Sequence, residues 1–425
     1  MKGPPERSNT VLSQAPSRET HRSRSSTAVI AACALVVILE GYDQSVYGSV
    51  LPVLLRDPGW DLTPQNAGYV GGAAFVGMLL GALGASGLTM KYSRRAVVVG
   101  CLLLFGVFGS LCAFVDNAGM LALLRVFMGV GLGGVLPVCT TLTLSVAPVK
   151  RRTLTYAAMF TAVPLGGMLA ALLSKWLIPI IGAEMMFLVP APLVVLAIIV
   201  SWLVLPDTKA ATVPLEQLAA RSSGLYGRRR RMTVLFITAT LLGLLLWYGL
   251  GTWLPEIMRS SGFDLGSSLT FQVTMFAGAA IGSLLFALIA DRMDGRKAVL
   301  GIYAVGAVVL AVMLTSPSQP VLLALTFLAG GVAQGGLIAI NTTVDQTYPL
   351  WLRARALGAT LGWGRIGAIV GPVIIGYIVG GSAVWSFLLF AACSLFAGIF
   401  TYTAKTTEQD DSRNYAEPAL DSSTH

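Results

Sequence analysis

Apolar runs of about twenty residues recur along the chain, each long enough to cross a hydrocarbon layer roughly 30 Å thick. Twelve can be laid down, over 28–55, 67–90, 96–116, 119–147, 154–176, 184–205, 232–258, 268–291, 297–315, 320–347, 354–380 and 383–403. Short polar or basic segments separate them. Backbone polar groups in lipid must be satisfied within their own segment, so runs of this length and spacing predict helices rather than strands. The expected fold class is an all-α membrane protein of twelve transmembrane helices, with polar tails over 1–27 and 404–425 and a polar, basic linker over 206–231.

The two halves on either side of that linker, 28–205 and 232–403, repeat each other at an ungapped offset. Gly134 matches Gly335, Thr141 matches Thr342, Pro148 matches Pro349, Arg152 matches Arg353 and Gly166 matches Gly367. Lys91 matches Arg292, Arg95 matches Arg296, and Tyr47 Gly48 matches Tyr248 Gly249 at the same spacing. A parallel duplication of six helices is the plan of a rocking transporter, whose substrate site lies between the halves near mid-membrane. Stripes of Gly129, Gly131, Gly133 and Gly134 on span 4, and of Gly362, Gly364, Gly367 and Gly371 on span 11, are expected to let helices approach closely.

Composition agrees with this picture: 55% of residues are hydrophobic and 12% charged, which excludes a soluble domain of this length. Span 1 is not a cleaved leader, because it carries Glu40 and Asp43 and lacks a small-residue cleavage pattern. Three of the 29 Lys and Arg residues fall in loops opposite the tails (Arg56, Lys175, Arg259), two fall inside spans (Arg125, Arg365), and the rest lie on the tail side. That bias places both termini in the cytoplasm. It also spreads the net charge of +9 over every tail-side loop, which argues for a lipid bilayer and against nucleic acid as the partner. The run Arg228 Arg229 Arg230 Arg231 reads as a topology anchor touching anionic lipid. The five cysteines (Cys33, Cys101, Cys112, Cys139, Cys393) sit in apolar spans without ligand spacing, so neither a structural disulfide nor a metal is expected.

The chain has no Gly-Lys dipeptide and hence no phosphate-cradling loop, which excludes ATP as the fuel. Both histidines, His21 and His425, are in the tails, which leaves carboxylates to carry a proton through the membrane. Glu40 and Asp43 lie roughly 18 to 24 Å along span 1 and share one face with Gln44 and Tyr47. A charge at that depth costs on the order of 3 kcal/mol, so two acids call for a function or a partner. Arg125 on span 4 falls at a similar depth, and an ion pair with Asp43 is expected. Burial disfavours the charged acid and a guanidinium favours it, so small rearrangements there would load and unload a proton.

Arg365 lies near the middle of span 11, where its repeat mate is Pro164. A guanidinium fork matches a carboxylate, so a positive charge in one half only points to an anionic substrate; the alternative is a structural Arg bonded to helix carbonyls or to Asp345. Gln334, Asn341 and Asp345 form a stripe on span 10 that would line a polar cavity. Trp247, Tyr248, Trp253 and Trp363, with Phe160, are candidates for stacking on an aromatic ring, or for packing.

At these residues the chain resembles the aromatic acid:proton symporter family of the major facilitator superfamily, over all twelve helices. The family's Asp-Gly-x-Asp signature of helix 1 is met by Glu40 Gly41 Tyr42 Asp43, with Glu in the first place. Its helix 7 pattern is met by Tyr248 Gly249 Leu250 Gly251 Thr252 Trp253 Leu254 Pro255, and its helix 11 pattern by Gly364 Arg365 Ile366 Gly367 with Gly371 Pro372. The resemblance implies a proton-driven importer of benzoate-like or hydroxybenzoate-like acids in a bacterial plasma membrane, with the helix 1 acids required. The expected transporter is a monomer with no cofactor and no enzymatic activity. Proton coupling falls to Glu40, Asp43 and Arg125, and substrate binding to Arg365, Gln334, Asn341, Tyr47, Trp363 and Trp247. A symporter of sugars or non-aromatic acids and a proton-coupled exporter remain alternatives.

The superfamily's gating signature between helices 2 and 3 is incomplete. Its Asp is replaced by Met90, before Lys91, Arg94 and Arg95, whereas the second copy keeps Asp291 Arg292 with Gly295 Arg296 Lys297. Gating is therefore expected to rest on Asp291, Arg292 and Arg296, with Arg95, Arg152 and Arg353 as the remaining tail-side basic residues of the set.

Overall fold

A computed structural model describes residues 26–147, 152–209, 225, 229–315, 317–380 and 382–404. Among the described residues, twelve helices, the third and the sixth extended by a 3₁₀ turn, are long and apolar enough to cross a membrane. They are α1 (Ser26–Leu54), α2 (Pro64–Lys91), α3 (Arg94–Leu111), α4 (Ala118–Val146), α5 (Arg152–Ile181) and α6 (Ala191–Val204), then α7 (Arg230–Ser260), α8 (Leu265–Arg292), α9 (Gly295–Met313), α10 (Gln319–Thr347), α11 (Leu350–Val379) and α12 (Ala383–Thr403). No strand occurs among the described residues. Twelve crossings return the chain to the side it left, so Ser26 and Thr403 share one side of the bundle, the tail side.

Helix starts follow capping chemistry. Thr63, Ser93, Asn117 and Ser382 each accept a hydrogen bond from a backbone amide in the first turn of α2, α3, α4 and α12, and Pro64 supplies the preset φ that opens α2. The expected helix over 184–205 is divided instead. A 3₁₀ turn occupies Glu184–Phe187 and α6 begins only at Ala191, because Pro190 and Pro192 have no amide to continue a ladder from the preceding turn. Across the halves the helix bounds keep the sequence repeat: Pro64–Lys91 corresponds to Leu265–Arg292 and Ala118–Val146 to Gln319–Thr347.

Packing repeats as well. α1 lies on α5 and α2 on α4, as α7 lies on α11 and α8 on α10. The seam between halves is built from α1, α2 and α5 against α7, α8 and α11. Glycine permits the tightest crossings: a Cβ on Gly41 would collide with the Val163 carbonyl of α5, and one on Gly166 with the Ile38 carbonyl of α1. The span 4 glycines sit in such crossings, with Gly133 against Met78 and Gly131 against Cys101. On α11, Gly364, Gly367 and Gly371 meet α7, but Gly362 faces open space and corrects the expectation of close packing there.

The seam is latched on the side opposite the tails. Arg56, just past α1, donates two hydrogen bonds to Glu256 of α7 at 2.6 and 3.0 Å. Ser49 donates to Gln272 of α8 at 2.7 Å, and the hydroxyls of Tyr69 and Tyr377 lie 2.6 Å apart between α2 and α11. Lys175 donates to Thr270 at 2.8 Å. Nearer the middle, the rings of Phe75 and Tyr248 meet across the seam with centroids 4.3 Å apart.

Candidate functional site

The middle of α1 carries both acids into the protein interior. Glu40 and Asp43 are 1% and 3% exposed, so neither is solvated by bulk water. Gln44, one turn on, donates to Glu40 Oε1 at 3.0 Å, an i, i+4 contact on the face foreseen from spacing. Glu40 Oε2 and Asp43 Oδ2 have no hydrogen-bond partner in the protein. Buried oxygens of this kind are costly unless something else visits them.

Arg125 reaches the same depth and is 1% exposed, but the expected direct ion pair with Asp43 is not formed. The guanidinium is held elsewhere: Nε donates to the Val70 carbonyl at 3.1 Å, and the group lies 4.4 Å above the Tyr47 ring. One Nη is left without a partner. The charge still reaches Asp43 electrostatically. Tyr47 is buried, its hydroxyl donates to the Ala67 carbonyl at 2.8 Å, and its ring seats Arg125.

From the other half, Arg365 on α11 comes within electrostatic reach of Glu40. It is half-buried and acts electrostatically on Glu40 and on Tyr248 of α7. Asp345 is engaged by Arg353 at 3.6 Å, which removes it as the structural partner of Arg365. The structure thus brings Glu40, Asp43, Arg125 and Arg365 into one electrostatic cluster spanning the seam, two negative and two positive.

Other candidates fall around this cluster. Trp247 is buried edge-on to Phe276 at 5.7 Å, and Trp253 is fully buried with Nε1 donating to the Pro372 carbonyl at 2.8 Å. Trp363 is 56% exposed and, two residues from Arg365, is turned about 200° round the helix from it. In this structure it points away from the face that carries Arg365. Gln334 is buried and Asn341 half-buried with Oδ1 unpartnered, but no described hydrogen bond joins either to the cluster.

The tail-side set is dispersed. Arg95 pairs with Asp207 at 2.7 Å and lies over the Trp202 ring at 4.7 Å. Arg353 donates to the Tyr348 carbonyl at 3.0 Å, Arg296 contacts Asp294 at 3.8 Å, and Arg292 and Met90 are exposed. The side chains of Asp291 and Arg152 lie outside the described residues.

Sequence reasoning missed Gln272, Phe75 and the Arg56–Glu256 pair. Gln272, fully buried between Ser49 and the Gly251 carbonyl at 3.2 Å, was detectable as a polar residue in an apolar span, the rule that singled out span 10.

The model of the Major Facilitator Superfamily matches residues 33–281 and 267–422. The chain belongs to that superfamily. It is 33% identical to a gentisate transporter of Corynebacterium glutamicum, over 85% of this chain and 84% of that one. It is 30% identical to a benzoate transport protein of Acinetobacter baylyi, over 83% of each. Among solved structures, a D-xylose–proton symporter superposes with a TM-score of 0.74 at 15% identity, covering 90% of this chain and 99% of the other, which shows the shared fold. The protein is therefore a multi-pass membrane transporter of the secondary type and not an enzyme.

Proposed function

We propose that this facilitator imports a small aromatic carboxylate together with a proton, across a bacterial plasma membrane with both tails in the cytoplasm. The observation that carries the reading is the charge balance of the buried cluster. With both acids ionised, Glu40 and Asp43 offset Arg125 and Arg365, so that state of the empty site is formally neutral. A monoanionic substrate would add one uncompensated negative charge in a region where such a charge costs several kcal/mol. One proton on the α1 acids restores neutrality.

Arg365 gives this balance a mechanism. Glu40 and a substrate carboxylate both seek its guanidinium, so protonating Glu40 frees the fork for a bidentate contact with substrate. Asp43, with an open oxygen beside α3 and α6, takes the proton on or passes it to Glu40, and Arg125 tunes that exchange from its seat on Tyr47. Tyr248 and Phe75, meeting at the seam, offer ring faces near Arg365. Closure of the seam opposite the tails is what the cytoplasm-facing, releasing state of an importer requires. Gln334, Asn341 and Trp247 are assigned to the cavity wall, and Asp291, Arg292, Arg296, Arg95, Arg152 and Arg353 to closing its cytoplasmic mouth.

The substrates for which the relatives are named, gentisate and benzoate, support an aromatic acid as cargo. The test is uptake of radiolabelled gentisate and benzoate into proteoliposomes with and without an inward proton gradient. Gradient-dependent accumulation of either is expected. Equal uptake with and without the gradient would overturn the coupling, and uptake of sugars in preference to both acids would overturn the substrate class.

A further inference from the structure

The outer surface of the first half holds a second candidate site, away from the seam. α2 and α3 are joined by a tight turn at Tyr92 and Ser93, and both pack on α4 but hardly on each other. Between them a crevice of about 370 Å³ opens on the tail-side half of the bundle, walled by Leu80, Gly84 and Leu88 from α2 and by Gly100 and Cys101 from α3, with Gly134 of α4 behind. Nothing lies within 4 Å of where a Cβ on Gly84, Gly87 or Gly100 would stand, and Leu80, Leu88 and Tyr92 are exposed.

The repeat supplies an internal control. At the matching places of the second half, Leu285 stands for Gly84, Leu288 for Gly87 and Ile302 for Cys101. There the ring of Phe286 is in contact distance of Gly335, the mate of Gly134. The groove is thus bordered by small residues in one half and by larger ones in the other, where Phe286 covers Gly335 but a Cβ on Gly301, the mate of Gly100, still meets open space.

Charge follows the same asymmetry. Lys91 and Arg94 flank Tyr92 and Ser93, the turn whose Tyr92 lines the crevice, and follow Met90, whereas the second half has Asp291 in place of Met90, Asp294 in place of Ser93 and Gly295 in place of Arg94. Arg95 is occupied by Asp207, but Lys91 and Arg94 have no acidic partner among the described residues. The Lys91 ammonium extends over the Tyr92 ring at 5.4 Å.

We propose that this crevice binds one anionic glycerophospholipid of the tail-side leaflet, with an acyl chain along Gly84 and Gly100 and the phosphate between Lys91 and Arg94. Apolar walls without a packing partner suit a chain, and unpaired cations at the headgroup level select a negative head over a zwitterionic one. This site does not depend on the transport reading, since none of its residues belongs to the seam.

The test is native mass spectrometry of the transporter extracted from vesicles of equimolar phosphatidylglycerol and phosphatidylcholine. One phosphatidylglycerol is expected to stay bound per chain. K91Q/R94Q should reduce its retention roughly thirtyfold, the change that two juxtamembrane cations carry. G84L/C101I, which installs the second half's own residues, should remove retention of either lipid. Phosphatidylglycerol retained at wild-type level by K91Q/R94Q would overturn the proposal by itself, whether or not the crevice-filling variant folds. A second copy of the chain recovered in place of lipid, and lost on filling the crevice, would overturn it as well.

Discussion

Arg56 and Glu256 join the two halves by a two-pronged ion pair at the end of α1 and α7 opposite the tails. Arg56 is also tied back to the Pro52 carbonyl at 2.7 Å, so the pair is anchored to the last turn of its own helix. Because a two-state transporter is biased by any contact present in one state only, this pair stabilises the state in which that end is shut. The Arg56 side chain is 40% exposed, so solvent screening limits the contribution to about 1 kcal/mol. Glu256→Gln should therefore raise labelling of a cysteine placed on the opposite-side face of the seam by roughly fivefold. The exchange R56E/E256R should restore the wild-type rate, and unchanged labelling in Glu256→Gln would remove the latch.

Asp43→Asn fixes the α1 acids one negative charge short, whatever the pH. Gradient-driven accumulation should be lost while substrate-for-substrate exchange persists, because exchange needs no net proton movement. Proteoliposomes loaded with unlabelled substrate separate the two. Wild-type accumulation in this variant would exclude Asp43 as the coupling site.

Under the coupling proposed above, the formal neutrality of the Glu40, Asp43, Arg125 and Arg365 cluster calls for one proton per monoanionic substrate. One proton per monoanion moves no net charge, so steady accumulation should rise about tenfold for each unit of pH gradient, acid outside. It should not respond to a potassium-diffusion potential. A response of accumulation to voltage alone would show that more than one proton accompanies each substrate.

How much of this site the sequence disclosed depends on what kind of contact each residue makes. The acids of α1 were legible because lipid makes any intramembrane charge conspicuous, and Arg125 and Arg365 for the same reason. The partner of Arg125 was not, because its choice of the Val70 carbonyl and the Tyr47 ring over Asp43 is decided by side-chain geometry across three helices. The side on which Trp363 stands follows from helix phase, since two residues along an α-helix turn a side chain to nearly the opposite side from Arg365. The fold was readable from run length and repeat, but the divided start of α6 turned on the local chemistry of Pro190 and Pro192.

Arg365→Lys keeps the charge and removes the fork. If substrate carboxylate is held bidentately, half-saturation should rise on the order of tenfold with little change in maximal rate at saturating substrate. Initial uptake rates across a concentration series measure both. An unchanged half-saturation concentration would return Arg365 to a purely electrostatic role beside Glu40.

Gly41 lies between Glu40 and Tyr42 and meets the Val163 backbone of α5, so the acids' helix is pinned where its side chains cannot be moved independently. A methyl group there meets a backbone carbonyl, which cannot rotate away as a side chain would. Overpacking of this kind costs about 1–3 kcal/mol. Gly41→Ala should lower thermal stability in detergent and, by pushing α1 from α5, displace Glu40 relative to Arg365 and weaken transport. Gly362→Ala on α11 is the matched control, because its Cβ enters open space and should leave both measurements near wild type. If both substitutions were equally harmless, the α1–α5 crossing would not be what holds the acids in register with Arg365.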